Sequence, residues 1–122
     1  MNTEKNIKTL IVKKPLKLDC GKTIKDFPIA YETYGSLNSK KDNAILVFHA
    51  LTGDQFVTGI NPVTNKEGWW SYAVGPDKAI DTNKYFVICS NVIGGCMGSY
   101  GPSHKDPDQK ICLLYTSPSP RD

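Results

Sequence analysis

The chain has 122 residues, 39% of them hydrophobic and 22% charged, with a formal net charge of +3, which bounds it to one small domain. The charge is mild and the lysines are mixed with acidic residues, so the dense basic stripe of a nucleic-acid surface is missing. No apolar run nears the ~20 residues that span a bilayer, and Leu10-Ile11-Val12 is too short for the core of a secretory signal.

Residues 7–18 (IKTLIVKKPLKL) read as an edge or antiparallel strand pair interrupted at Pro15, since proline is tolerated at edges and turns. A turn rich in Asp and Gly follows (DCGKTIKD). FPIAYETYG then alternates: Ile29, Tyr31 and Thr33 on one face, Ala30, Glu32 and Tyr34 on the other. After the polar turn GSLNSKKDN comes AILVFHA, Ala44 to Ala50, which does not alternate. Such a run predicts a central parallel strand covered on both faces. YFVICSNV, Tyr85 to Val92, is the second run of this kind. The connection between them, Ala50 to Lys84, predicts a short helix in GWWSYAV, stopped by Gly75-Pro76. Strand, helix, strand predicts a right-handed crossover. The expected class is α/β, with antiparallel edge strands leading into a mostly parallel sheet. Residues 1–110 form its domain part. Residues 111–122, ending in Ser-Pro-Ser-Pro, suit neither helix nor strand and are expected to be a non-native or disordered tail.

Two segments could carry chemistry. In open α/β sheets ligands bind beyond the carboxyl ends of parallel strands, and FHALTGD, Phe48 to Asp54, would sit at such an end. A sharp turn of small residues there can offer backbone N–H groups to an oxygen that becomes negative during acyl transfer. Leu51 would contribute its N–H, Gly53 would let the chain bend, and Asp54 could orient the loop. The plainer reading is an ordinary turn with His49 bonded to backbone. The second segment, NVIGGCMGSYGP, contains Gly94-Gly95-Cys96-Met97-Gly98, formally a cysteine version of a nucleophile elbow. An elbow needs a helix directly after it, and Ser99-Tyr100-Gly101-Pro102 does not start one. The segment therefore reads as a glycine-rich loop lining a cleft, with Gly94, Gly95 and Cys96 as the lining candidates. It lacks the G-x-G-x-x-G spacing of a dinucleotide site.

Adjacent residues of a helix do not share a face, so of Trp69 and Trp70 one is expected in the core and the other in a groove or interface. His104 reads as an exposed loop residue. Cys20, Cys89, Cys96 and Cys112 show no CxxC spacing and suit free thiols in a reducing cytoplasm. Two distant histidines give a zinc site little support.

Together, IAYETYG, NAILVFHALTGD and GWWSYAVGPDKAIDTNKYFVICSNVIGGCMGSYGP resemble the amino-terminal part of the homoserine O-acetyltransferases over roughly Leu16 to Lys110. The resemblance implies an incomplete α/β-hydrolase fold and a part in methionine biosynthesis. A serine takes an acetyl group from acetyl-CoA, and the hydroxyl of homoserine then accepts it. Related acyltransferases of this fold share the likeness, leaving open succinyl for acetyl and serine for homoserine. It implies that the catalytic serine, acid and histidine follow the point where these residues stop, so that His49 is not the catalytic histidine and Cys96 not the nucleophile. Leu51 is then one of two backbone donors to the oxyanion. The fragment alone is expected to be inactive and poorly soluble, with no bound cofactor, no metal, no nucleic-acid or membrane partner, and a homodimer as the full-length form. The alternatives are a small hydrolase using Cys96 and a non-enzymatic α/β binding module using a tryptophan and the glycine loop.

Overall fold

A computed structural model describes residues 7–101 and His104. The tail at 111–122 lies outside them, as does Cys112. Among the described residues eight strands appear in chain order: β1 (Lys8–Val12), β2 (Leu16–Lys17), β3 (Thr23–Ile24), β4 (Phe27–Tyr34), β5 (Ala44–Val47), β6 (Val74–Gly75), β7 (Ile80–Asp81) and β8 (Phe86–Ser90). Four of them form the main sheet in the order β1-β4-β8-β5, with β2-β3 and β6-β7 as separate two-stranded pairs.

The strands on either side of Pro15 do not pair with each other. β1 runs antiparallel to β4, Lys8 opposite Tyr31 through Val12 opposite Phe27. β2 instead pairs with β3, Leu16 opposite Ile24. Proline has no N–H for the ladder, so the chain leaves the sheet there and makes a small hairpin. A tight turn closes it, with the Leu18 N–H on Lys22 O at 2.7 Å and the Gly21 N–H on Leu18 O at 2.9 Å.

β4 pairs antiparallel with β8, Tyr31 opposite Ser90 and Tyr34 opposite Val87. β5 lies parallel to β8, Ala44 beside Phe86 and Val47 beside Cys89. Antiparallel strands thus lead into a parallel pair, as expected, and within the described residues that one pair is the parallel part of the sheet. The core lies on one face. Val47, Val87 and Cys89 meet Val57 and Val74 from the β5–β8 connection, with Tyr34, Ile45, Trp70 and Ile80 packed around them.

Two further expectations fail here. β5 is not covered on both faces: Leu46 is 56% and Phe48 79% exposed, because the connection to β8 folds over the face of Ile45 and Val47 only. GWWSYAV is not a helix either. Its backbone makes a pair of tight turns, with Ser71 bonded to Gly68 and Ala73 to Trp70. Val74–Gly75 then pairs in parallel with Ile80–Asp81. A helix of so few residues cannot repay the cost of its nucleus without tertiary support, and Val74 is instead fully buried as a strand residue. The two tryptophans differ in burial, though not as residues of a helix. They stack at 5.7 Å and 9°, with Trp70 against the core and Trp69 39% exposed. No helix among the described residues is long and apolar enough to cross a membrane.

Candidate functional site

The site is built where β5 ends beside β8. The chain turns through Ala50–Gly53, closed by the Gly53 N–H on Ala50 O at 2.8 Å. That is a four-residue turn with Leu51 and Thr52 at its centre. The fit at Gly53 is close: a Cβ there would lie 3.1 Å from His49 Cβ and 3.3 Å from Ala50 O. Leu51 is 96% exposed. Its N–H makes no hydrogen bond among the described residues, so the tip of the turn carries a donor that the fold does not use.

Asp54 does fix the exit of this turn. Its Oδ1 accepts the Phe56 N–H at 2.9 Å, its Oδ2 accepts from Asn61 Nδ2 at 3.3 Å, and its carbonyl accepts the Trp69 indole N–H at 2.8 Å. His49, at the entry, has both ring nitrogens engaged. Nδ1 lies 2.7 Å from Ala50 O. Nε2 lies 3.2 Å from the Val92 amide and 3.4 Å from Asn91 Nδ2. A carbonyl on one side and an N–H on the other require a neutral ring protonated at Nδ1.

The glycine loop follows β8 and folds back on β4. Buried Asn91 anchors it: its N–H donates to Ala30 O at 2.8 Å and its Oδ1 accepts the Met97 N–H at 3.2 Å. Buried Ser99 accepts the Ala30 N–H at 2.9 Å and donates to Asn91 O at 2.6 Å. Gly95 is required by close approach, since a Cβ there would stand 2.7 Å from Asn91 Oδ1. No helix follows the loop among the described residues, so it is not an elbow, and Gly94 and exposed Cys96 lie at its tip. No hydrogen bond joins Cys96 to His49. His104 is half-buried rather than exposed. It stacks on Tyr100 at 5.6 Å and accepts the Gly101 N–H at Nδ1, 3.1 Å away, contacts that its polar neighbours in sequence did not reveal.

Two groups tie the turn and the loop to the core. Gln55, fully buried, donates from Nε2 to Met97 O at 3.0 Å; its Oε1 has no partner among the described residues. The Tyr34 hydroxyl donates to Gln55 O at 3.3 Å and accepts the Val57 N–H at 3.1 Å. Burial pushes this phenol up to about 12. Burial, reinforced by the charge of Asp54, also pushes the Cys89 thiol up to about 11, which leaves it protonated and unreactive. Gln55, Asn91, Ser99 and Tyr34 escaped sequence reasoning, because nothing in a polar residue's immediate neighbours says which partner it meets across the fold. No group of three or more His, Cys, Asp or Glu side chains among the described residues could hold a metal ion.

A tight turn at the end of a parallel strand, in a sheet flanked by antiparallel strands, belongs to the α/β-hydrolase class in incomplete form. The solved homoserine O-acetyltransferase from Bacillus anthracis superposes with a TM-score of 0.78 at 31% identity, covering 92% of this chain and 31% of that one. Esterase E22 superposes at 0.74 and 27% identity, covering 92% and 33%. No family model matches the chain. The particular family comes from sequence: the homoserine O-acetyltransferase of Pelagibacter ubique (strain HTCC1062) is 76% identical over 108 residues, 88% of this chain and 29% of that protein. The chain carries a homoserine O-acetyltransferase-family sequence and spans under a third of the length of the curated relatives it matches.

Proposed function

We propose that these residues supply the oxyanion-binding turn of an acyltransferase that moves an acetyl group from acetyl-CoA to the hydroxyl of homoserine, a cytoplasmic step in methionine biosynthesis. The observation that carries this reading is the 76% identity to a homoserine O-acetyltransferase across the segment holding the turn and the glycine loop. The unused N–H at Leu51 supports it chemically. When a nucleophile adds to a thioester carbonyl, the oxygen becomes negative, and a fixed N–H aimed at it stabilises that state far more than the ground state. The Leu51 N–H plays this part, and Gly94, Gly95 and Cys96 line the same cleft. The serine nucleophile with its acid and histidine belongs to a longer polypeptide. The serine attacks the acetyl carbon and releases the CoA thiol; the homoserine hydroxyl then attacks the serine ester and regenerates the serine. His49 takes no proton in either step, since both its nitrogens are engaged. Cys96 has no basic partner among the described residues and is not assigned as the nucleophile.

A second reading is favoured by the likeness to esterase E22: water in place of homoserine as the final acceptor. Both readings are tested with a hybrid in which residues 7–101 replace the matching stretch of the Pelagibacter ubique relative. Given acetyl-CoA, the hybrid is expected to form O-acetylhomoserine, with CoA release strongly dependent on homoserine. Release at the same rate without homoserine would favour hydrolysis, and an inactive hybrid would count against both. The 122-residue chain by itself is expected to give no transfer above background in the same assay; measurable turnover would contradict the assignment of the nucleophile to a longer chain.

A further inference from the structure

We infer that His49, held as the neutral Nδ1–H tautomer, is a positioning residue that sets the Ala50–Gly53 turn against the glycine loop. The acyl-transfer reading enters only through the consequence for catalysis; the clamp itself rests on geometry. Ala50 O receives two donors, the Gly53 N–H at 2.8 Å and His49 Nδ1–H at 2.7 Å. The ring therefore braces the carbonyl that closes the turn. Its far nitrogen receives the Val92 N–H at 3.2 Å, a contact 43 residues away in sequence, and stands 3.4 Å from the buried Asn91 amide. Among the described residues the Val92 N–H has no other acceptor, and Asn91 is the anchor of the loop.

One rigid ring thus donates at its near end and accepts at its far end, and the distance between its nitrogens fixes the gap between turn and loop. A general base would need a nitrogen open to the reacting group; here both lone-pair and N–H directions are taken by main chain. The peptide unit between Ala50 and Leu51 contains both the braced carbonyl and the free N–H of Leu51. Because that unit is planar, holding Ala50 O also sets the direction of the Leu51 N–H. This is how a side chain that touches no substrate can govern an oxyanion donor.

Two half-replacements separate the ends of the clamp. Asn at 49 keeps a donor near the Nδ1 position and loses the far acceptor. Gln keeps an acceptor near the Nε2 position and loses the near donor. In the 122-residue chain, nitrogen NMR of the His49 ring is expected to show a protonated Nδ1 and an unprotonated Nε2. Hydrogen exchange at the Val92 amide should be slow in the wild type and H49Q and about tenfold faster in H49N and H49A. A proton on Nε2, or Val92 exchange that ignores the substitutions, would overturn the clamp, and the ring measurement needs no variant to fold. In the hybrid enzyme, H49N is expected to lower kcat roughly tenfold with KM for acetyl-CoA changed less than about twofold. An unchanged kcat alongside a lost Val92 bond would overturn the positioning role. An inactive unsubstituted hybrid would instead sink the acyl-transfer reading, while the NMR results still decide the clamp.

Discussion

Tyr34 shows how one hydroxyl can join a strand to the loop that covers it. Its oxygen gives a proton to Gln55 O and takes one from Val57 N–H, at the point where the β5–β8 connection first meets the core. Tyr34→Phe leaves a backbone acceptor and a donor with one partner fewer, and should cost about 1–2 kcal/mol in urea unfolding at neutral pH. The pH dependence has a definite sign. Folded Tyr34 holds its proton to about 12, against an ordinary value of 10.0. Between these values the unfolded chain has released the proton and the folded chain has not. Stability is therefore fully present below pH 10.0 and is lost as pH rises toward 12. Unfolding midpoints across that window should fall more steeply in the wild type than in Y34F. Parallel slopes would show that the phenol is not held by its burial.

At the level of elements, the glycine loop is held by side chains that contact its own and its neighbour's backbone. Ser99 is the sharpest case: its hydroxyl serves both the Ala30 N–H of β4 and the Asn91 carbonyl after β8. Ser99→Ala strands two buried backbone groups and is expected to cost about 2–3 kcal/mol, read as a fall in the denaturant midpoint with unchanged slope. A change under about 0.5 kcal/mol would mean that the loop is not docked through Ser99. The four strands of the main sheet were legible in sequence, whereas the short strands β3, β6 and β7 were not. Alternation in FPIAYETY gave β4, and the apolar runs at 44–47 and 86–90 gave the parallel pair. The two failures have physical causes. Apolar continuity in AILVF promised burial on both faces, but burial depends on what else is present to cover them, and Leu46 and Phe48 stand open. GWWSYAV had a helix stop at Gly75-Pro76 but neither the length nor the strong helix formers to sustain a helix, and tertiary contacts of Trp70 and Val74 with the core decided its path. The turn at Leu51 was readable as a candidate because it follows a strand of parallel character. The tautomer of His49 and the roles of Asn91 and Ser99 depend on long-range partners and were not.

On the scale of the molecule, one face of the sheet is packed and the other carries Leu46 beside Ile88 and Thr33, with Phe48 open beyond it. An apolar sheet face of this kind promotes association. The double variant Leu46→Thr, Phe48→Thr should reduce self-association of the 122-residue chain in light scattering, with a stability change within about 0.5 kcal/mol, as for exposed positions. The same pair in the hybrid enzyme should be destabilising by about 2 kcal/mol or more if a longer polypeptide covers that face. Equal effects in both contexts would show that nothing covers it. The comparison separates what these residues do alone from what they do as part of a chain more than three times as long.

The most direct test of acyl transfer through the Leu51 turn is a pair of substitutions at Leu51 in the hybrid. Leu51 occupies the second position of a four-residue turn, where proline is well tolerated, so Leu51→Pro removes the N–H with little demand on the fold. Leu51→Ala removes the exposed side chain and keeps the N–H. With circular dichroism confirming that both variants fold, L51A should retain kcat within about threefold, and L51P should lose about 100- to 1000-fold. Equal activity in the two variants would contradict the assignment of the Leu51 amide as the donor to the oxyanion.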